Sequence, residues 1–264
     1  MDLGLKDKVA VITGGSVGIG LAVAHGLAAE GVDIVIVARN GERAAEQARA
    51  VAARSGRKAV SITADVATAA GCAHVIEEVG KAFGGCDILI NNAGSGSNET
   101  ILEAADEKWQ HYWELHVMAA VRLSRGLAPG MKARGGGVIL NNASICATQP
   151  LWYEPIYNTT KAALVMFAKC LANELIPSNI RVNTLNLGLC LTPDWIKTAT
   201  QLTEGTGRTW QDYIQGVADE FAPIKRFASP EEMANYFVFL CSDKATYSVG
   251  STYYADGGML RTIS

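Results

Sequence analysis

Long hydrophobic runs are missing from this 264-residue chain, although 49% of its residues are hydrophobic. No segment approaches the roughly 20 apolar residues that cross a bilayer, and the start of the chain lacks the apolar stretch of a signal peptide. The six cysteines form no CxxC pair and no metal-ligand spacing. These absences predict a protein of a reducing compartment, which we take to be the cytoplasm, with neither a membrane segment nor a metal site.

An excess of charge of one sign is missing as well. Lys and Arg contribute 23 residues and Asp and Glu 26, and these residues are spread along the chain. A nucleic-acid-binding domain carries a basic patch, and a membrane-surface segment combines basic residues with an apolar helix; the sequence has neither. It therefore argues against nucleic acid and membrane partners, and a small molecule is the expected partner.

Short apolar strands alternate with helices along the whole chain. The strands show no apolar/polar alternation, which implies a parallel sheet that is covered on both faces. We predict an α/β fold with a doubly wound, Rossmann-type sheet of about seven parallel strands and helices on both faces, in one domain spanning 1–264. The predicted strands are Val9–Thr13, Ile34–Val37, Ala59–Thr63, Ile88–Asn91, Val138–Asn141, Ile180–Leu185 and Thr252–Ala255.

The segment 192–222 interrupts this alternation of strands and helices. Its large aromatic residues are Trp195, Trp210, Tyr213 and Phe221. An insertion near the end of a strand is typical of a substrate lid, so we predict a lid at 192–222. Together with Trp152 and Tyr153, its aromatics favour a fairly apolar or ring-containing ketone or alcohol as substrate. An equally open alternative is that the lid aromatics only fasten the lid to the body.

A glycine-rich turn lies between the first predicted strand and the first helix. It reads Thr13-Gly14-Gly15-Ser16-Val17-Gly18-Ile19-Gly20. Glycines at such a turn let the backbone approach a pyrophosphate, which then rests on the N–H groups of the helix. Turn chemistry alone can also explain such a motif. Its place after a strand and before a helix predicts a dinucleotide site.

The end of the second strand discriminates between the two nicotinamide dinucleotides. A carboxylate there would bond the ribose 2′-hydroxyl of NAD, whereas an arginine suits the 2′-phosphate of NADP. The chain has Arg39 at this place and no acid, so we predict NADP(H), with NAD(H) as the second choice. The alternative is that Arg39 is a solvated surface charge. Asp65, after the third strand, could bond the adenine amino group or serve as a turn residue.

Three residues form a candidate proton-transfer set. Tyr157 and Lys161 are four residues apart on a predicted helix and share one face. A phenol titrates near pH ~10, so a nearby cation is needed to stabilise its phenolate. Ser144, just past the strand Val138–Asn141, could hold a substrate oxygen beside the phenol. A tyrosine and a lysine at this spacing are common and, alone, usually structural.

Taken together, these motifs resemble the short-chain dehydrogenase/reductase family in its single-domain form. The glycine loop, Asn91-Asn92-Ala93-Gly94, Ser144 and the Tyr157/Lys161 pair occur in the family's order, and the resemblance runs nearly end to end. It implies an NADP(H)-dependent oxidoreductase that interconverts a ketone or aldehyde and an alcohol by hydride transfer. Tyr157 would be the acid/base, Ser144 would hold the substrate oxygen, and Lys161 would bind the nicotinamide ribose and lower the pKa of Tyr157. A homotetramer is also implied, since family members are commonly tetramers.

The resemblance also assigns cofactor contacts position by position. Asp65 and Asn91 match adenosine-side contacts, and Thr192 matches a contact to the nicotinamide carboxamide or a nearby phosphate. The complete predicted cofactor set is Thr13, Gly14, Ser16, Gly18, Ile19, Gly20, Arg39, Asp65, Val66, Asn91, Ala93, Gly94, Tyr157, Lys161 and Thr192.

His116 departs from the family's pattern. It stands where the family has an asparagine that helps to hold a water molecule in a proton relay. Imidazole titrates near pH ~6.5, so we include His116 in the catalytic set as a relay member. The alternatives are that a backbone carbonyl holds this water, that His116 packs at the helix surface, or that turnover is lost.

Two rival functions stay open. Many close members of the family are 3-oxoacyl-carrier-protein reductases, which often have a basic residue after Leu-Ala on the helix that follows the catalytic lysine. This chain has Asn173 there, which weakens that alternative. The rival from another class is a non-catalytic nucleotide-binding or sensing module, for which His116 is the only support.

Overall fold

The computed structural model describes residues 1–151 and 153–261 of the chain. Its strands are β1 (Val9–Thr13), β2 (Asp33–Ala38), β3 (Ala59–Thr63), β4 (Ile88–Asn91), β5 (Gly137–Ser144), β6 (Ile180–Leu187) and β7 (Thr252–Ala255). Its α-helices are α1 (Gly18–Ala29), α2 (Gly41–Ser55), α3 (Ala69–Phe83), α4 (Asp106–Trp113), α5 (Ala119–Ala133), α6 (Pro155–Leu175), α7 (Pro193–Thr203), α8 (Trp210–Phe221) and α9 (Pro230–Cys241). A π-helical segment, Glu114–Met118, joins α4 to α5.

The strands form a 7-stranded parallel sheet with the order β3-β2-β1-β4-β5-β6-β7. The order reverses between β1 and β4, and the carboxyl ends of the strands flank a crevice at such a switch point. The predicted doubly wound α/β sheet is confirmed. Because the strands are parallel, the residues that end or directly follow β1 to β5, among them the glycine loop, Arg39, Asn91 and Ser144, lie at this one edge.

Helices cover both faces of the sheet because its strands are apolar on both faces. Ile12 and Ile36 pack on one face with residues of α1 and α9. Val11, Leu89 and Ile139 pack on the opposite face with residues of α3, α5 and α6. Burial of one such side chain contributes roughly 1.5–3 kcal/mol, which accounts for the continuous apolar runs in the sequence.

The segment predicted as a lid folds into α7 and α8. The ring of Trp195 packs edge-on against that of Phe227, with 5.1 Å between the ring centroids. Trp210 and Tyr213 lie in the same apolar cluster. These contacts favour the alternative in which the aromatics fasten the segment to the body. Trp152, the other tryptophan predicted to line the pocket, lies outside the described residues.

One sequence prediction changes in detail. The strand expected to end at Asn141 continues to Ser144, so the predicted substrate-oxygen holder is the last residue of β5. On α9, Phe237 is buried in the core, whereas Phe239 is 48% exposed.

Over the described ranges, no helix combines the length and apolar character that a membrane crossing needs, and no cluster of His, Cys, Asp and Glu side chains could hold a metal ion.

Candidate active site

The turn between β1 and α1 has the geometry of a phosphate loop. Gly14 and Gly18 have φ angles of +65° and +54°, which glycine adopts without strain. A Cβ atom on Gly20 would lie 2.5 Å from the side-chain nitrogen of Asn92, so a side chain would not fit there. No side chain caps α1 at Val17, which leaves its first N–H groups available to an anion. The loop therefore fits a dinucleotide pyrophosphate.

A chain of hydrogen bonds connects this loop to Lys161. The Thr13 hydroxyl accepts the backbone N–H groups of Asn92 at 2.9 Å and Ala93 at 3.0 Å. The Asn92 amide donates to the Thr13 carbonyl at 2.8 Å. Asn142 then donates to Asn92 Oδ1 at 2.8 Å, and Lys161 Nζ donates to the Asn142 carbonyl at 2.7 Å. The sequence prediction missed Asn142, whose only signal is its place near the carboxyl end of a strand.

Two arginines lie at the end of the crevice where a 2′-phosphate is expected. Arg39 follows β2 directly and is exposed. Arg43, in the first turn of α2, donates from Nε to the hydroxyl of the buried Ser16 at 3.4 Å. Arg43 was missed because it is five residues beyond the end of β2, and its proximity to Ser16 depends on how α2 packs.

The other predicted nucleotide contacts differ in what they can offer. Asp65 is exposed, and one of its carboxylate oxygens accepts a backbone N–H two residues on at 3.0 Å, as a turn residue does. The Val66 side chain is buried in the core, and the Asn91 amide is bonded to the neighbouring strand. Thr192 lies against the glycine loop, since a Cβ atom on Gly18 would be 3.4 Å from its methyl group.

Ser144, Tyr157 and Lys161 converge at the ends of β5 and α6. The Ser144 hydroxyl lies near the Tyr157 phenol, and Lys161 Nζ lies 5.3 Å from the centre of the Tyr157 ring. Burial raises the pKa of Tyr157, while the nearby Ser144 hydroxyl acts to lower it. Burial lowers the pKa of Lys161 to about 8. Burial of the phenol therefore acts against the lowering of the Tyr157 pKa that the resemblance implied for Lys161.

His116 is buried in the π-helical segment, with 3% of its surface exposed. Its Nε2 accepts the backbone N–H of Ser95 at 3.4 Å, and its Nδ1 lies 2.8 Å from the Thr160 hydroxyl. Since Nε2 accepts, Nδ1 carries the ring proton and donates to Thr160. The Thr160 hydroxyl in turn donates to the Tyr157 carbonyl at 3.0 Å.

This environment keeps the His116 ring neutral. Burial, and secondarily the charge of Lys161, lowers the pKa of His116 to about 2. Its ring packs edge-on against that of Tyr157, with 5.5 Å between the centroids. The interpretation that His116 packs at the helix surface is wrong. Because both ring nitrogens are engaged and the pKa is far below neutrality, the structure favours a positioning role over a titrating one.

A carboxylate that the sequence prediction missed lies beside Tyr157. Glu154 immediately precedes α6, and the Tyr153 hydroxyl and the backbone N–H of Ser97 are near enough to its carboxylate to act to lower its pKa. Burial raises the pKa of Glu154 to about 7, and the nearby Glu99 adds to this shift. At neutral pH, Glu154 can therefore either accept or donate a hydrogen bond to a bound hydroxyl group.

The sequence resembles proteins with related descriptions along its whole length. A sequence profile described as Enoyl-(Acyl carrier protein) reductase matches residues 14–260. The uncharacterized oxidoreductase YvrD of Bacillus subtilis is 34% identical over 271 residues, which cover 100% of both chains. The 3-oxoacyl-[acyl-carrier-protein] reductase FabG of Aquifex aeolicus is 31% identical over 261 residues, covering 98% of this chain and 100% of that one.

Among solved structures, L-sorbose reductase from Gluconobacter frateurii is similar in both sequence and fold. That crystal structure contains NADPH and L-sorbose. It superposes with a TM-score of 0.99 at 66% sequence identity, and the match covers 100% of both chains.

Proposed function

This chain belongs to the short-chain dehydrogenase/reductase family, and on that premise we propose that it reduces a ketose sugar to a polyol. It is an NADP(H)-dependent oxidoreductase that acts on a carbonyl/alcohol pair. We choose L-sorbose as the representative substrate, because it is bound in the reductase to which the chain is 66% identical. The proposal departs from the apolar substrate that the aromatic residues suggested.

The convergence of Ser144, Tyr157 and Lys161 beside the glycine loop carries the proposed chemistry. NADPH supplies the hydride when it is bound. Tyr157 donates a proton to the carbonyl oxygen, and the Ser144 hydroxyl holds that oxygen beside the phenol. Because burial raises the pKa of Tyr157, the phenol stays protonated at neutral pH, which is the form that reduction needs. Lys161, fixed on the Asn142 carbonyl, supports the charge that develops as the proton leaves.

The charges at the crevice ends suit NADP(H). We assign the pyrophosphate to the glycine loop, where the close approach at Gly20 leaves no space for a side chain. We assign the 2′-phosphate to Arg39 and Arg43, whose guanidinium groups can each bind a phosphate by paired hydrogen bonds. Ser16, which already bonds Arg43, would orient that guanidinium group.

Glu154 supports a hydroxyl-rich substrate. Its carboxylate is largely buried beside Tyr157 and has the raised pKa of a desolvated group. A polyol offers it further hydroxyl partners, whereas a purely apolar ketone would exclude water and offer it none. Such a site discriminates strongly against analogues that lack the hydroxyl group.

Further assignments complete the proposal. We propose a single-domain protein of the cytoplasm with residues 192–222 as its substrate lid, and its six free cysteines agree with a reducing compartment. We propose a homotetramer, supported by the exposed Tyr236 and Phe239 on α9, which offer apolar surface to another copy. His116 would position Thr160 and, through it, the turn of α6 that holds Tyr157.

A turnover assay tests this function against its rivals. Purified protein is given NADPH or NADH together with L-sorbose, a cyclic ketone or an acetoacetyl thioester of acyl carrier protein. We expect kcat/KM to be at least about 100-fold higher for L-sorbose with NADPH than for the cyclic ketone. Preference for the thioester would favour the 3-oxoacyl-carrier-protein reductase. NADPH binding without oxidation of any substrate would favour the binding module.

A further inference from the structure

Helix α6 carries Tyr157 in its first turn but does not cap its own N-terminus. Glu154 is at the N-cap position and makes no side-chain cap hydrogen bond, and Pro155 follows it. The next two backbone N–H groups, those of Ile156 and Tyr157, have no acceptor within the helix. Their acceptors must come from another part of the chain or from solvent.

Two side chains of the loop that follows β4 supply these acceptors. Glu99 Oε1 accepts the backbone N–H of Ile156 at 3.1 Å, and Ser97 Oγ accepts that of Tyr157 at 3.3 Å. The Ser97 hydroxyl donates its own hydrogen to Glu99 Oε1 at 2.9 Å. The backbone N–H of Glu99 also donates to the Tyr153 carbonyl at 3.2 Å. We call these bonds the Ser97–Glu99 clamp.

The clamp is buried and its charge is balanced. The Glu99 side chain is only 5% exposed, and its Oε2 lies 2.9 Å from Lys108 Nζ on α4. Lys108 also donates to the Asn98 carbonyl at 2.9 Å. Burial acts to raise the pKa of Glu99, but its hydrogen-bond donors together hold that pKa below its ordinary value. The positive end of α6 also favours a carboxylate at this place.

The loop with the clamp also reaches the dinucleotide edge. Its first residues bond β1, where the Ala93 N–H donates to Thr13 at 3.0 Å, and the Ser95 N–H donates to His116. One continuous segment therefore contacts the strand before the phosphate loop, the π-helical segment and the first turn of α6. A shift of this segment would move Tyr157 relative to the cofactor crevice.

We propose that Glu99, with Ser97, is a positioning residue for Tyr157. It acts through the backbone of α6 and fixes the position and orientation of the Tyr157 phenol relative to Ser144. The proposal rests on the proposed role of Tyr157 as the proton donor. Misplacement of a reacting group by about 1 Å can cost on the order of 100-fold in rate, so the clamp bears on kcat more than on cofactor affinity.

The test compares Glu99→Ala, Glu99→Gln and Glu103→Ala. Glu103 is the control because it is an exposed acid of the same loop region whose carboxylate bonds Thr100. With L-sorbose and NADPH, we expect Glu99→Ala to lower kcat by about 30-fold. The Kd for NADPH and its binding stoichiometry, from fluorescence titration, should stay within about twofold, since the clamp lies outside the phosphate loop.

The conservative variant separates the clamp from a general loss of stability. Glu99→Gln keeps an oxygen acceptor for Ile156 but loses the ion pair with Lys108, so we expect it to recover kcat to within about fivefold of the wild type. Glu103→Ala should match the wild type. An unchanged kcat in Glu99→Ala overturns the inference. A loss of NADPH stoichiometry that parallels the loss of kcat shows that Glu99→Ala is misfolded, and Ser97→Ala then decides the inference.

Ser97→Ala provides the test if Glu99→Ala does not fold. It removes the acceptor for the Tyr157 N–H and the hydroxyl that donates to Glu99 Oε1, and we expect kcat to fall by about fivefold with unchanged NADPH binding. Tyr157→Phe belongs in the same series. If Tyr157→Phe keeps the wild-type rate, the proposed function itself fails. If Tyr157→Phe is inactive while Ser97→Ala equals the wild type, only the clamp is refuted.

Discussion

The two ends of the crevice are built in different ways. At the proposed catalytic end, which holds Ser144, Tyr157 and Lys161, the side chains are buried or half-buried, and the pKa values of Tyr157 and Lys161 are shifted. At the arginine end, Arg39 and Arg43 are exposed, and Arg43 donates a hydrogen bond of 3.4 Å to Ser16. Proton transfer requires fixed geometry and adjusted acidity, whereas selection of a phosphate can work through solvated charge. The catalytic end should therefore respond to substitution more strongly, and the arginine end should respond to salt.

The largest expected effect is at the catalytic end, from Tyr157→Phe. Removal of the phenolic hydroxyl eliminates the proton donor and should lower kcat for L-sorbose by about 10²–10⁴-fold. NADPH affinity should hardly change, because the pyrophosphate and 2′-phosphate contacts remain. Steady-state assays of NADPH oxidation and a fluorescence titration measure the two quantities. Retention of most of the wild-type rate would contradict the proton-donor role.

The second-largest effect is expected from Glu154→Gln, which tests whether this carboxylate recognises the hydroxyl groups of the substrate. Loss of the carboxylate should lower kcat/KM for L-sorbose by about 30-fold and barely affect a cyclic ketone without hydroxyl groups. Because the pKa of Glu154 is about 7, the wild-type pH profile for L-sorbose should bend near neutrality, and this variant should lose the bend.

His116→Asn is the matched control for that pH profile. The pKa of His116 is about 2, so its ring is neutral throughout the neutral range, and the variant should keep the bend. A bend that disappears in His116→Asn and persists in Glu154→Gln would reverse the two assignments.

A smaller effect is expected from the pH dependence of Lys161. Burial lowers its pKa from 10.5 to about 8, so kcat/KM for reduction should fall roughly tenfold by about pH 9 as the ammonium group loses its proton. Lys161→Arg should abolish this decline, at a lower overall rate, since a guanidinium group stays charged. A decline that persists in Lys161→Arg would assign it to another group.

The same shift predicts a stability change with a defined sign. Between pH 8 and 10.5 the unfolded chain binds more protons at Lys161 than the folded chain does. The contribution of Lys161 to the free energy of unfolding therefore increases with pH across this window. Denaturant unfolding of the wild type and of Lys161→Met at several pH values measures it. A wild-type slope no steeper than that of the variant would contradict the lowered pKa.

The smallest effect is expected at the arginine end. Arg43→Ala should raise the Kd for NADPH by about fivefold and leave that for NADH unchanged, and the difference should shrink as salt is added. Arg49→Ala is the control, because Arg49 is an exposed arginine of the same helix. An equal loss of affinity for both dinucleotides would contradict a role of Arg43 in binding the 2′-phosphate.

Sequence reasoning reached those site residues whose signal is local. The glycine loop is defined by glycines between a strand and a helix, and Tyr157 and Lys161 by a spacing of one helical turn. Asn142, Glu154 and Glu99 carried no such signal, because an asparagine or a glutamate gains its role from partners far away in the chain. Glu99 reaches Ile156 across 57 positions, and no periodicity reports such a pairing.

The order of strands and helices and the place of the glycine loop followed from the sequence by itself, because burial and backbone conformation are set over a few neighbouring residues. The choice of Ser144, Tyr157 and Lys161 as the proposed proton-transfer residues came from their spacing together with the resemblance to a known family. The acidity of those side chains was decided only by the tertiary structure. Burial raises the pKa of Tyr157 and lowers those of Lys161 and His116, since desolvation of a charge depends on every element that packs around it. For the same reason, the capping of α6 by a distant loop could be seen only once the chain was folded.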